Sequence, residues 1–256
     1  MSNTINWGKI HGLSYSPETN LTGTAAAPSF TNTKSILLDG VDDFVNMGNV
    51  LDMSNDATNS FTISAWFNTT STSTQMIVTK NLASGTFNGY ALYMSSGKLR
   101  FLIGANPNWL VAEGGSTVYS DGQWHNIVLV YDGSQNTSGL SFYIDGGLVT
   151  TNSLVNNTPT NVISSANFTI GSRNTTHLFF TGKIDEVGIW TSTSLSASDV
   201  TSIYNSGVPN DISSLSPVSW WRCGDSDTAP TLTDNGSGGN DGTMTNFSTF
   251  STDVPT

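Results

Sequence analysis

Positive charge is scarce in this chain. Eight Lys+Arg face 19 Asp+Glu in 256 residues, a formal net charge of −11 with a pI near 4.3. Nucleic acids and anionic membranes are held by Lys and Arg, so neither is expected as a partner. Cysteine is scarcer still. Cys223 stands alone, so no internal disulfide can form, and the thiol reads as a buried side chain rather than a nucleophile. No basic stretch followed by an apolar core opens the sequence, and no run of eighteen apolar residues occurs. Neither a secretory signal nor a membrane-crossing helix is therefore expected. Glutamate occurs only at 18, 113 and 186, and charged residues make up 11% of the chain, well below the usual quarter.

Polar neutral residues fill the gap: 36 Ser, 35 Thr and 26 Asn, alongside 25 Gly. Such a chain is poor in helix formers and rich in strand Thr and in turn Asn and Gly, which favours an all-β fold. Period-two alternation bears this out. In Phe61–Phe67, the residues Phe61, Ile63, Ala65 and Phe67 share one face while Thr62 and Ser64 point away. Residues 89–94, 98–103, 124–131, 140–144, 167–170 and 179–190 repeat the pattern. Between the runs stand the turn pairs Ser96-Gly97, Asp121-Gly122, Asp132-Gly133 and Asp145-Gly146. One helix is expected after the last long strand, with Ser196 as N-cap, Asp199 completing a capping box, Val200, Ile203 and Tyr204 as the apolar stripe, and Gly207 at the C-terminal cap.

Texture divides the chain into an extended N-terminal arm (1–33), a strand-rich body (34–206) and a C-terminal extension (207–256) that returns to Ser, Thr, Gly and Asn. Leu38-Asp39-Gly40-Val41-Asp42-Asp43-Phe44-Val45 resembles the opening strand of laminin-G-like domains, in the concanavalin A-like lectin/glucanase group. Phe61–Phe67 resembles their next core strand, Asp121–Val128 and Phe142–Gly146 their central pair, and Gly182–Trp190 with the following helix their closing segment. The resemblance implies a two-sheet antiparallel jelly-roll sandwich with one short helix and extended terminal arms. Val218–Arg222 and Asp234–Thr243 resemble the segment that in these domains precedes the Asp39-Gly40 strand, so their position here departs from the family order. The extension is then either a permuted edge strand of its own sandwich or a tail lying across a neighbouring subunit. Its Trp-Trp-Arg and Gly-Asn-Asp-Gly wording also resembles laminin-G-like structural proteins of tailed phages of marine bacteria.

The fold alone does not settle function, because this scaffold carries lectins, adhesion modules and enzymes alike. Glucanases sharing it place Glu-x-Asp-x-x-Glu on one strand, and around Asp185 the corresponding positions are Lys183 and Gly188, so no catalytic residues are assigned. Asp39, Asp42 and Asp43 on one turn, with Asp185 on the strand that pairs nearby in the resembled fold, offer hard oxygens suited to a structural Ca²⁺; the same side chains also suit turn capping. For carbohydrate, the best local candidate is a loop tryptophan, Trp109, between Asn106 and Asn108. Ile5, Trp7 and Ile10 in the N-terminal arm, and Trp220, Trp221, Phe247 and Phe250 in the extension, read as assembly contacts, because such arms cannot offset their ordering entropy alone. Together these features lead to a non-enzymatic virion structural protein of the capsid-decoration or fibre type. It would be anchored to other virion proteins or to identical subunits, trimers being common, and would display a lectin-like sandwich to host-surface glycans. The alternatives are a carbohydrate-binding or adhesion module at a bacterial cell surface and, third, a polysaccharide hydrolase.

Overall fold

In a computed structural model, the alternating runs become strands of two antiparallel sheets packed face to face. Residues 30–54, 56–82 and 87–256 are described. The strands are β1 (Ser35–Asp39), β2 (Phe44–Asn46), β3 (Phe61–Asn68), β4 (Gln75–Asn81), β5 (Asn88–Ser95), β6 (Lys98–Ala105), β7 (Asn108–Gly114), β8 (Trp124–Tyr131), β9 (Leu140–Ile144), β10 (Gly147–Val149), β11 (Thr151–Asn156), β12 (Thr169–Ile170) and β13 (Thr181–Thr191). After the helix α1 (Ala197–Tyr204) come β14 (Ser219–Trp221), β15 (Thr231–Leu232), β16 (Gly242–Thr245) and β17 (Phe250–Ser251). One sheet runs β10-β9-β8-β3-β13-β1-β17 with β14 also on β13; the other runs β11-β7-β6-β5-β4-β12-β2-β16-β15. This is the antiparallel jelly-roll sandwich expected.

Alternation places the core between the sheets. Aromatic rings bridge them: Phe61 of β3 lies 5.1 Å from Tyr131 of β8 and 5.4 Å from Phe101 of β6 across the interior. Phe168 stacks on Trp221 at 5.5 Å. The buried Tyr hydroxyls keep partners, Tyr90 donating to the Leu51 carbonyl and Tyr131 to that of Ala57. The helix begins as expected, with Ser196 and Asp199 capping reciprocally. It ends earlier, because Asn205, not Gly207, takes the left-handed position (φ 45°).

The C-terminal extension is not a separate arm. Residues 31–256 form one compact body, and the extension supplies strands to both sheets. Trp221 and Trp220 pair with Val187 and Gly188 of β13, while Met244 pairs with Val45 of β2. On the same side of β13, β1 occupies the first half and β14 the second. They meet where the β13–β3 register slips between Asp185 and Gly188, with Glu186 in the left-handed region (φ 46°). Two consecutive acids, Asp185 and Glu186, stand at this bulge, and both are buried. The extension's aromatic residues, expected as assembly contacts, pack within their own chain. Trp220 and Trp221 are buried in their own sandwich, and Phe247 and Phe250 pack against its core. Ile5, Trp7 and Ile10 lie outside the described residues. No helix among the described residues is long and apolar enough to cross a membrane.

Candidate functional site

Strand register arranges the outward residues of the nine-stranded sheet in rows. One row runs Met76, Tyr93, Arg100, Glu113, Asn152 across five strands; a second runs Thr79, Ala91, Leu102, Val111, Val155. A third begins with Asn81, crosses Gly89 and Gly104, and ends at Trp109. Gly104 has φ +127°, and a Cβ there would stand 2.7 Å from the Trp109 Cα. Only glycine lets the two backbones approach this closely beside the tryptophan.

Trp109 is therefore not a loop residue but the second residue of β7, half-buried, preceded by the exposed strand residue Asn108 and by Asn106, exposed in the turn. Its ring meets Phe87 edge to face at 5.5 Å, and the Phe87 carbonyl accepts from the Asn106 N–H. Asn108 Nδ2 donates to Thr160 Oγ1 at 3.2 Å, and Asn157 Nδ2 donates to the Pro107 carbonyl at 2.9 Å. The Phe87 ring also carries the Arg173 guanidinium, Cζ 3.8 Å from the centroid. An aromatic pair is thus fixed between an amide-rich turn and a cation.

In the first row Glu113 accepts from Lys98 Nζ (3.1 Å) and Arg100 Nε (3.0 Å). Burial raises its pKa, but these two cations outweigh burial and hold it below the usual carboxylate range. Phe87, Tyr93, Arg100 and Arg173 escaped the sequence reading. The one available signal was that cations are few, eight in the chain, so that each stands out.

The expected metal ligands divide. Asp39, Asp42 and Asp43 come together, their ligand atoms all within 4.8 Å of one another. Asp39 Oδ1 accepts from the Val41 N–H and Asp43 Oδ2 from the Asp39 N–H, so two of the three carboxylates cap the turn. Burial, followed by the nearby acids Asp39 and Asp42, raises the Asp43 pKa. Such a set of carboxylates fits a calcium-like ion. Asp185 is not part of it. Asp39 pairs with Thr181, four residues from Asp185 along β13, a span of about 13 Å at strand rise. Asp185 accepts instead from Asn32 Nδ2 at 2.8 Å.

Other concavities carry less chemistry for a sugar. A groove of about 480 Å³ between residues 115–119 and 148–152 has hydroxyls and the Asn152 amide, but its one aromatic, Tyr119, is buried with its ring turned edge-on to His125. A pocket of about 250 Å³ beside Asp52 lies next to the buried Lys80, whose ammonium meets Asn49 Oδ1, the Ala166 carbonyl and Asp52 Oδ1.

Residues 39–201 match the laminin-G family model described as the concanavalin A-like lectin/glucanases superfamily. Among solved structures, a Bacteroides ovatus protein described as a candidate carbohydrate binding protein is similar, with a TM-score of 0.61 at 17% identity over 88% of this chain. This chain spans 62% of that protein's length. Domains LG4-5 of the mouse laminin alpha1 chain (TM-score 0.46, 15% identity, 64% of this chain and 44% of that one) are also similar. So is a CBM40 of a Ruminococcus gnavus IT-sialidase (TM-score 0.46, 16% identity, 66% and 97%). At these identities the likeness is one of fold. No curated protein matches the chain.

Proposed function

The chain belongs to the concanavalin A-like lectin/glucanases superfamily, and from that premise we propose that it is a non-catalytic carbohydrate-binding module whose site is the outer face of the nine-stranded sheet around Trp109. One observation carries this reading. Trp109 is held half-exposed against Phe87, and the exposed Asn106 and Asn108 neighbour it in the chain. A pyranose offers an apolar C–H face and a rim of hydroxyls, which suits an aromatic surface bordered by amides. The likeness to a candidate carbohydrate binding protein supports the same reading. Glu113, the acid on this face, is held ionised between two cations, which suits orientation and not proton donation. The test is calorimetric titration with oligosaccharides selected on a glycan array. Trp109→Ala should weaken binding at least tenfold and Asn108→Ala severalfold; binding unchanged in Trp109→Ala sinks the proposed site.

We carry calcium as a proposal of the same kind: Asp39, Asp42 and Asp43 would hold it, and it would fix the β1–β2 turn. Melting in calcium and in chelator compares the two states. Calcium should raise Tm by a few degrees and Asp43→Asn should remove that gain, whereas identical curves in wild type exclude the ion.

A virion location has less ground than the sequence suggested, because the extension's tryptophans are consumed inside the sandwich. It then rests on Ile5, Trp7 and Ile10. Presence in purified phage particles, lost on deleting residues 1–29, would support it; absence from such particles would remove it.

A further inference from the structure

Two cations are buried in the body, and they are treated differently. Lys80 is fully buried and surrounded by three oxygens, one of them the Asp52 carboxylate. Arg173 is 9% exposed, yet no acid among the described residues pairs with it. Its Nη2 donates to the Leu82 carbonyl at 2.7 Å, and its Nε is buried without a partner. A buried charge with neither counter-ion nor full hydrogen bonding is costly, and proteins keep one where something else completes it. Burial alone accounts for the lowered pKa of the group.

The surroundings are built to hold this side chain in place. The Arg173 N–H donates to the His177 carbonyl at 2.7 Å and closes a tight turn, while two residues earlier the Gly171 N–H donates to the Ile77 carbonyl and so ties the chain to β4. Close by in sequence and register are further buried polar atoms without partners: Ser172 Oγ, Thr79 Oγ1 and Asn81 Oδ1. The set is mixed. Arg173 Nε and the two hydroxyls can donate to an oxyanion, whereas the amide oxygen accepts from hydroxyl groups. A bare anion would use only the first kind; a sugar bearing an acidic group uses both.

We propose that Arg173 is the anion-recognising residue of the Trp109 face, and that the glycan it takes carries an oxyanion, carboxylate or sulfate. This rests on the carbohydrate-binding reading of the same face and names its ligand class. Arg173 is one ring removed from Trp109 through Phe87, so a chain of sugars seated on Trp109 can bring an acidic substituent towards the guanidinium, whose planar fork suits two-oxygen recognition. The −11 charge of the whole chain disfavours acidic ligands elsewhere on the surface, which sharpens the contrast at this point.

The experiment titrates the full chain with tri-galacturonic acid, its methyl ester and a sulfated disaccharide. Wild type should bind the acid at least tenfold more tightly than the ester. Arg173→Met should bind both alike while its Tm stays equal or rises, since a buried unpaired charge has been removed; Arg173→Lys should keep part of the preference. The two acidic probes show whether carboxylate or sulfate is preferred. Equal affinity of wild type for acid and ester, or a preference that survives in Arg173→Met, overturns the proposal and leaves the carbohydrate reading standing. Should no saccharide bind, melting in sodium sulfate decides the anion site by itself. A rise larger in wild type than in Arg173→Met keeps the oxyanion site and removes the glycan, and equal rises remove the oxyanion site.

Discussion

The two outer faces of the sandwich use aromatic residues in opposite ways. On the eight-stranded sheet, Trp66, Trp190 and Trp220 are buried by the returning chain. Tyr204 of α1 stacks on Trp66 at 5.8 Å, the Leu215 carbonyl accepts from Trp190 Nε1 at 2.8 Å, and Glu186 accepts from Trp220 Nε1. On the nine-stranded sheet, Trp109 and Phe87 stay half-exposed, with the Arg173 guanidinium against the Phe87 ring. No α-helix among the described residues lies over that second face. The chain closes one face with its own apolar surface, where aromatic rings contribute stability, and leaves the other without such a cover.

The largest test of this contrast is Trp190→Ala. The indole is 1% exposed and packs on Gly188, where a Cβ would stand 2.9 Å from the ring. Truncation leaves a cavity and deprives the Leu215 carbonyl of its donor, a loss of about 3–5 kcal/mol in urea denaturation. A loss under about 1 kcal/mol would mean that the covered face contributes little.

The second test uses pH. At the β13 bulge, Asp185 and Glu186 are buried together with Asp225 nearby and Arg222 as the basic partner, its Nε donating to Glu186 Oε1 at 3.3 Å. Burial pushes the Glu186 pKa up to about 7 against the pull of Arg222 and Trp220, and burial with the neighbouring Glu186 charge raises Asp185 well above its ordinary range. An acid whose folded pKa is raised binds its proton more tightly when folded. Its contribution is therefore complete below about pH 4.3 and is lost as pH climbs towards 7, by up to about 3 kcal/mol for Glu186. His125 works in the same direction. Burial lowers its pKa, but Asp145 and Asp121 outweigh burial and raise it. The difference between wild type and Glu186→Gln isolates the bulge: stability should fall from pH 5 to pH 8 in wild type and fall less in the variant. Parallel pH profiles would show that the buried acid pair does not titrate there.

What was legible in the sequence follows the same division. Strands with one dry and one wet face announce themselves by alternation, and β9, alternately buried and half-buried, runs over the residues that pattern marks. Strand β4 is buried along its whole length, so Gln75-Met76-Ile77-Val78-Thr79-Lys80-Asn81 shows no period of two and gives no signal. Strand β7 was masked because Asn-Pro-Asn before Trp109 reads as a loop. The C-terminal strands find partners far away in sequence, Met244 with Val45, and nothing local states such a pairing. Asp39, Asp42 and Asp43 were legible because adjacency in sequence brings them together. Arg173 was not: its meaning lies in the acid that fails to meet it, which only three dimensions reveal.

The smallest expected effect sharpens the comparison most. Trp109 is half-buried and its ring contact is one edge-to-face pair with Phe87, worth about 1 kcal/mol. The Trp109→Ala protein that loses tenfold or more in glycan affinity should therefore unfold within about 1 kcal/mol of wild type, well short of the loss expected for Trp190→Ala. Denaturation curves of the two variants under one condition make the comparison directly. If Trp109→Ala were as damaging as Trp190→Ala, both faces would be structural. A tryptophan that is dispensable for folding and indispensable for binding is what an open recognition surface requires.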